Sequence, residues 1–383
     1  MPRAPRDRAR TSPIRSMTVA CARAGGINLA QGVCDTPVPE AVRRAAQAAV
    51  EAGVNTYTRS DGLPELRAAL AAKMKRDSGL SYDPEGEIVV TSGATGAFYV
   101  AAQALLEAGD EVVLFEPYYG YHRNTLEALG AVPVYVPLGA RDFAVDFAAL
   151  ERALGPRTRA LVVNTPGNPS GKVFSKQELA RLGDIVRARD LWLFTDEVYE
   201  HFVFDGRKHV SPAALPGLRE RTITMNALSK TFAITGWRIG WVAAPRALAE
   251  AFAHLHDLVY VCAPAPLQAA CAAGLGKLDP EYYAAIGAEY QRKRDQLCDA
   301  LAGAGLAPRV PEGSYFALAD LSRFPGRNGD ERALALLERS GVACVPGTAF
   351  WHGAAGDAVG RFCFGKTDAD LAEACRRLRN MQV

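Results

Sequence analysis

Charge imbalance is nearly absent from this 383-residue chain: 44 Lys and Arg stand against 42 Asp and Glu, a net +2 at pH 7. A nucleic-acid partner needs a basic face, so the composition argues against nucleic acid as the main ligand. Pairing motifs for cysteine are missing too. The eight cysteines (Cys21, Cys34, Cys262, Cys271, Cys298, Cys344, Cys363 and Cys375) form no C-x-x-C and no Cys/His spacing, and they read as reduced core thiols. Neither a metal site nor a disulfide framework is therefore expected. The stretch Leu258 to Gly276 has nineteen residues without a formal charge, but Pro264, Pro266 and Gln268 interrupt it. A buried segment is expected there rather than a membrane span. G-x-G-x-x-G does not occur, which removes the usual signature of a dinucleotide site.

What is present is a chain able to bury a large core, with 49% apolar residues and a length that implies two or three domains. Residues 1–24 carry six Arg and one Asp, a local +5 that leaves the remainder at −3. This reads as a basic, mobile N-terminal arm. It lacks the apolar core of a secretory signal and only faintly echoes a transit peptide, so a cytoplasmic location is expected. From Glu40 to about Gly276 apolar strand runs alternate with helical patterns, the signature of an α/β fold with a mostly parallel sheet. Helices are expected at Glu40–Glu51 and Lys176–Arg189, and a short edge-like strand at Val132–Val136. A long amphipathic helix over 280–302 leads into a mixed α+β region with strands at Gly313–Asp320, Val342–Pro346 and Val359–Phe364.

The chemistry centres on Asn226-Ala-Leu-Ser-Lys-Thr-Phe-Ala-Ile-Thr-Gly-Trp-Arg-Ile-Gly-Trp241. An apolar run delivers Ser229 and Lys230, a Thr-Gly-Trp turn presents Arg238, and a second apolar run leaves. A lysine that forms an imine must offer a neutral amine, which nearby positive charge and desolvation favour. Arg238 supplies that charge and can hold a phosphate with its planar fork of donors. Lysine plus a phosphate clamp is the minimum kit for pyridoxal phosphate. Glu87–Phe98 runs strand, glycine turn, helix, and such a turn aims backbone N–H groups at one place, making Gly93, Ala94 and Thr95 phosphate contacts. Asp196 ends the apolar run Leu191–Thr195. A buried acid there needs a cationic partner, which a protonated pyridine nitrogen would be. Tyr199 can then hydrogen-bond the ring's phenolic oxygen.

The S-K-x-x-x-x-x-G-W-R-x-G pattern resembles the lysine motif of the class I/II aminotransferases, the fold type I pyridoxal-phosphate enzymes, and the resemblance extends over roughly residues 27–380. Asn164-Thr-Pro-Gly-Asn-Pro-Ser-Gly171 is similar to that family's N-x-P-x-N-P-[TS]-G, which implies that Asn168 donates to the ring oxygen and helps bind substrate. The aromatic two residues after Pro117, Tyr119, is implied to stack on the pyridine ring. Gly32 is implied to let backbone approach the substrate carboxylate, and Tyr57 to reach across a dimer interface to the partner's phosphate. Arg361, in Arg-Phe-Cys-Phe, matches the arginine that grips the substrate α-carboxylate; between Phe residues it needs an anion in any case. Many relatives place a phosphate-binding serine where this chain has Ala227, and Ser229 is taken as its substitute.

The resemblance implies a homodimer of a large pyridoxal-phosphate domain (45–276) and a small domain (25–44 with 277–383). The implied reaction is transfer of the amino group of an L-amino acid to a 2-oxo acid by a ping-pong mechanism, with Lys230, Asp196 and Tyr199 as catalytic residues. The wording of Gly347–Phe350 and Arg361–Phe364 is similar to the kynurenine, glutamine and methionine branch. A C–S lyase, a decarboxylase or an amino-acid cyclase would use the same residues. A non-catalytic regulator would need a DNA-binding domain ahead of this one, for which the basic segment of 24 residues is too short.

Overall fold

The computed structural model describes residues 12–381. The chain divides into two units: residues 34–291 with 312–314, and the remaining described residues. The larger unit is built on a seven-stranded sheet in the order Ile88–Ser92, Ile239–Ala243, Thr222–Ala227, Trp192–Asp196, Thr158–Asn164, Glu111–Glu116, Val132–Pro137. Only Ile239–Ala243 runs against the rest. The expected edge strand at Val132 is at the sheet's edge, and the α/β class with a mostly parallel sheet is confirmed.

Strands covered on both faces must be apolar on both, and they are. Val89 and Val242 belong to the core formed with Phe98, Ala101, Leu126 and Phe252. Their neighbours Ile88, Val90, Trp241 and Ala243 face the opposite core, formed with Leu66, Leu70, Phe232 and Leu275. Successive residues thus alternate between the two faces, as the pleat requires.

The larger unit extends further than 45–276 at both ends. The helix Glu40–Glu51, with the bounds expected from sequence, inserts Val42 into the core against Phe232 and Gly274, where a Cβ on Gly274 would collide with it. Beyond Gly276, Tyr282 donates to the carbonyl of Thr231 and Tyr290 packs edge-on against Phe202 at 4.7 Å. Apolar contact therefore assigns residues 34–44 and 277–291 to the larger unit.

The smaller unit has a three-stranded antiparallel sheet, Val345–Pro346, Val359–Cys363, Phe316–Asp320, with helices Gly329–Ser340 and Asp368–Arg379. The expected strand Val342–Pro346 is split. Val342–Ala343 pairs in parallel with Ile27–Asn28, whereas Val345–Pro346 pairs with Gly360–Arg361. Residues 12–24 are not a mobile arm: Pro13–Arg23 is a helix, with proline in its first turn, that buries Met17 and Cys21 one turn apart. The rest of that expected arm lies outside the described residues. No two cysteines are bridged, and among the described residues no helix is long and apolar enough to cross a membrane.

Candidate functional site

In an open α/β sheet, functional groups collect at the carboxyl ends of the strands. Here Ser92, Asn164, Asp196 and Ala227 end four parallel strands. Arg238 reaches the same end for a different reason: it directly precedes Ile239–Ala243, and that strand runs backwards. One cavity opens where they converge. It is lined by Ala94, Thr95, Tyr119, Asn168, Asp196, Tyr199, Ser229, Lys230 and Arg238, nine of the residues expected from sequence.

Its cationic end is shaped by glycine. Gly93 begins the helix Gly93–Leu105 at φ +69°, and a Cβ there would run into the guanidinium of Arg238. Arg238, itself left-handed at φ +59°, donates from Nη1 to the Thr235 carbonyl at 3.0 Å and from Nη2 to the Ser92 carbonyl at 3.3 Å. Gly240 lies so close to this turn that its Cβ would come within 2.5 Å of the Gly93 carbonyl carbon and 2.7 Å of the Ala94 nitrogen. No side chain caps the helix, so its first N–H groups and its positive dipole end face the cavity. The Ser229 hydroxyl, in the cavity wall, is buried without a hydrogen-bond partner. Uncapped amides, an unsatisfied hydroxyl and a guanidinium are together the kind of donor set that could hold a phosphate.

The acidic end is Asp196. It is buried, with Oδ2 3.1 Å from His122 Nε2 and Oδ1 accepting from the Val198 N–H at 3.4 Å. Asn164 holds the next segment in place: its Nδ2 donates to the Asp196 carbonyl at 3.0 Å and its Oδ1 accepts from the Asn168 N–H at 2.7 Å. Tyr199 is buried, and the ammonium of Lys230 lies 5.9 Å from its ring centre. Tyr119 stacks on Tyr121 at 5.3 Å and meets His122 edge-on.

Behind this wall, Glu200 follows Tyr199 and accepts from Asn226 Nδ2 at 2.7 Å and from Lys73 at 2.8 Å. Burial by itself would raise the Glu200 carboxyl; the charges of Lys73, His201 and His209 outweigh it and hold the group down at about 2. Asp77, Glu200 and His201 lie close enough to hold a metal ion. The Lys73 ammonium, 3.1 Å from Asp77 and 2.8 Å from Glu200, already supplies the cation.

Three expected residues lie elsewhere. Tyr57 is 81% exposed and does not line the cavity. Gly32 and Arg361 belong to the smaller unit and share a neighbour. A Cβ on Gly32 would strike the Phe316 ring, and the Arg361 guanidinium lies 4.1 Å from that ring and 4.8 Å from Phe350, donating to the Ala30 carbonyl at 2.7 Å. Conversely, sequence reasoning did not single out His122, Asn164, Phe98, Thr125 or Tyr121, which also line the cavity. The four-residue spacing of Asn164 and Asn168 was a usable signal. His122, one polar residue on a helix, offered none.

A family profile described as aminotransferase class I and II matches residues 24–378. A probable N-succinyldiaminopimelate aminotransferase of Mycobacterium tuberculosis is 40% identical over 379 residues, spanning 96% of this chain and 95% of that protein. Human kynurenine–oxoglutarate transaminase 1 is 34% identical over 390 residues, spanning 93% and 92%. Among solved structures, a methionine aminotransferase of Escherichia coli, YbdL, matches with a TM-score of 0.94 at 32% identity over 100% of both chains.

Proposed function

Since this chain belongs to the class I and II aminotransferases and is an aminotransferase of fold type I, we propose that it binds pyridoxal 5′-phosphate and moves the amino group of an L-amino acid to a 2-oxo acid in ping-pong fashion. The observation that carries this reading is that Lys230, Asp196 and Arg238, separated by up to 42 positions in sequence, line a single cavity. The residues fit the cofactor. The uncapped amides of Gly93–Thr95, the Ser229 hydroxyl and Arg238 would hold its phosphate, and the buried carboxylate of Asp196 would accept a hydrogen bond from its ring nitrogen.

When bound, pyridoxal phosphate supplies an electron sink that stabilises negative charge at the substrate α-carbon. Asp196 keeps the ring nitrogen protonated, because a buried carboxylate favours a cation beside it. His122, 3.1 Å away, fixes that carboxylate's orientation. Tyr199 and Asn168 would donate to the ring oxygen, and Tyr119 would cover the ring. Arg361, presented between two Phe rings, binds the substrate α-carboxylate with its paired donors. Lys230 is the attachment amine; once released and neutral, its Nζ takes the proton from the substrate α-carbon and returns it, acting as base and then acid. Tyr57, held outward, would serve the phosphate of a second subunit in a homodimer.

The test is to incubate the purified chain and pyridoxal phosphate with nitrogen-15-labelled amino acids, including kynurenine, methionine and N-succinyldiaminopimelate, and a panel of 2-oxo acids. Label appearing in a new amino acid supports the reading. Loss of the donor with release of carbon dioxide or thiol, and no labelled product, would contradict it.

A further inference from the structure

His256, in the helix Arg246–Tyr260, is fully buried and uses both ring nitrogens. Nδ1 lies 3.2 Å from the Ser60 carbonyl oxygen, and Nε2 lies 3.2 Å from the Ser92 backbone nitrogen. These partners leave one tautomer. A carbonyl only accepts, so Nδ1 carries the proton; an amide N–H only donates, so Nε2 is bare. Burial lowers the imidazole's pKa below 6.5, outweighing the opposite pull of the Ser60 hydrogen bond and of Asp257. Of the charged groups at its partners, Arg59 and Asp61 pair with each other at 2.7 Å and Arg238 donates to the Ser92 carbonyl at 3.3 Å; the Tyr260 ring lies 5.2 Å from the imidazole.

The two segments joined are the ones that matter for phosphate. Ser92 is the N-cap of the helix whose uncapped amides face the cavity. Ser60 belongs to the loop that carries Tyr57. The same loop is also held from below by the buried Gln268, which accepts from the Leu63 N–H at 2.8 Å and donates to the Thr58 hydroxyl at 3.2 Å. An 81% exposed tyrosine thus projects from a loop pinned by two buried polar side chains.

We infer that His256, in its neutral Nδ1–H form, is a positioning residue for the cofactor phosphate: it fixes the Ser92–Gly93 turn and ties that turn to the Tyr57 loop. This rests on the pyridoxal-phosphate reading above. A proton on Nε2 would set N–H against N–H at Ser92 and break that bond, loosening the phosphate seat while leaving the ring and lysine contacts alone.

The experiment compares pyridoxal phosphate with pyridoxal, which lacks the phosphate, binding to the full chain by absorbance titration across pH, with phosphorus NMR of the bound phosphate. His256→Phe keeps the ring volume and loses both hydrogen bonds; His256→Gln keeps an acceptor for Ser92 and cannot take a proton. His256→Phe should weaken pyridoxal phosphate on the order of tenfold and shift its phosphorus signal, leaving pyridoxal binding unchanged. In the wild type the preference for pyridoxal phosphate should fall below pH 6.5 more steeply than in His256→Gln, the phosphate's own titration being common to both. Equal losses of both ligands in His256→Phe, no loss of either, or parallel pH curves for wild type and Gln would overturn the inference. A wild type that binds neither ligand would contradict the pyridoxal-phosphate reading itself.

Discussion

His122 Nε2 lies 3.1 Å from Asp196 Oδ2, and both side chains are buried. The carboxylate that would face the cofactor ring is therefore held by a helix of the adjoining layer. His122→Phe should leave the chain folded and lower kcat by about 10–100-fold, the worth of one charge-assisted hydrogen bond, with little change in KM. Asp196→Ala should cost more. Steady-state kinetics on the two variants checks the order.

The interlock of Gly93 with Arg238 makes a second prediction. Gly93→Ala must adopt a left-handed φ of +69° and push the guanidinium aside. Cofactor affinity should fall by about 10–100-fold. Arg238→Lys, which exchanges a planar fork for a point charge, should weaken binding in the same direction. Retention of pyridoxal phosphate through dialysis measures both, and an Ala variant that retains it like the wild type would contradict this account of the seat.

If Tyr57 serves the partner's site, two dead subunits should rescue each other. A hybrid of Tyr57→Ala with Lys230→Ala chains has one site carrying both defects and one carrying neither, so about half of wild-type activity per dimer should return. Co-expression with two affinity tags isolates the hybrid. No recovery in a purified hybrid would place Tyr57 outside any catalytic site.

Acid should unfold the protein in two stages. Burial pushes His201 down from 6.5 to about 4, so between those values the unfolded chain binds a proton that the folded chain does not. Stability therefore rises with pH across that window and is lost as pH falls from 6.5 to 4. Glu200, held at about 2 against an ordinary 4.5, continues the loss from 4.5 downward. His201→Asn should remove the first stage, on the order of 2–3 kcal/mol. Urea unfolding at several pH values checks this.

The parts of the site that were legible in sequence are those whose chemistry is local. Lys230 and Arg238 sit eight residues apart in one strand–turn–strand passage, and Asp196 ends a strand whose apolar run is unmistakable. His122, Lys73 and His256 were not legible, because a lone polar residue on a helix looks the same whether it faces water or closes a buried network. The smaller unit was harder for a related reason. Val342–Pro346 reads as one strand, but its two halves pair with chain segments about 315 and 15 residues away. At the N-terminus, the six arginines of residues 1–24 obscured Met17 and Cys21, whose four-residue spacing carries the packing of the helix Pro13–Arg23.

Borohydride reduction of the protein with bound pyridoxal phosphate, followed by peptide mapping, tests the central claim most directly. The account predicts one phosphopyridoxyl group, on Lys230, and none in Lys230→Ala. A stable adduct on another lysine of a protein that still transfers amino groups, or full activity in Lys230→Ala, would contradict it.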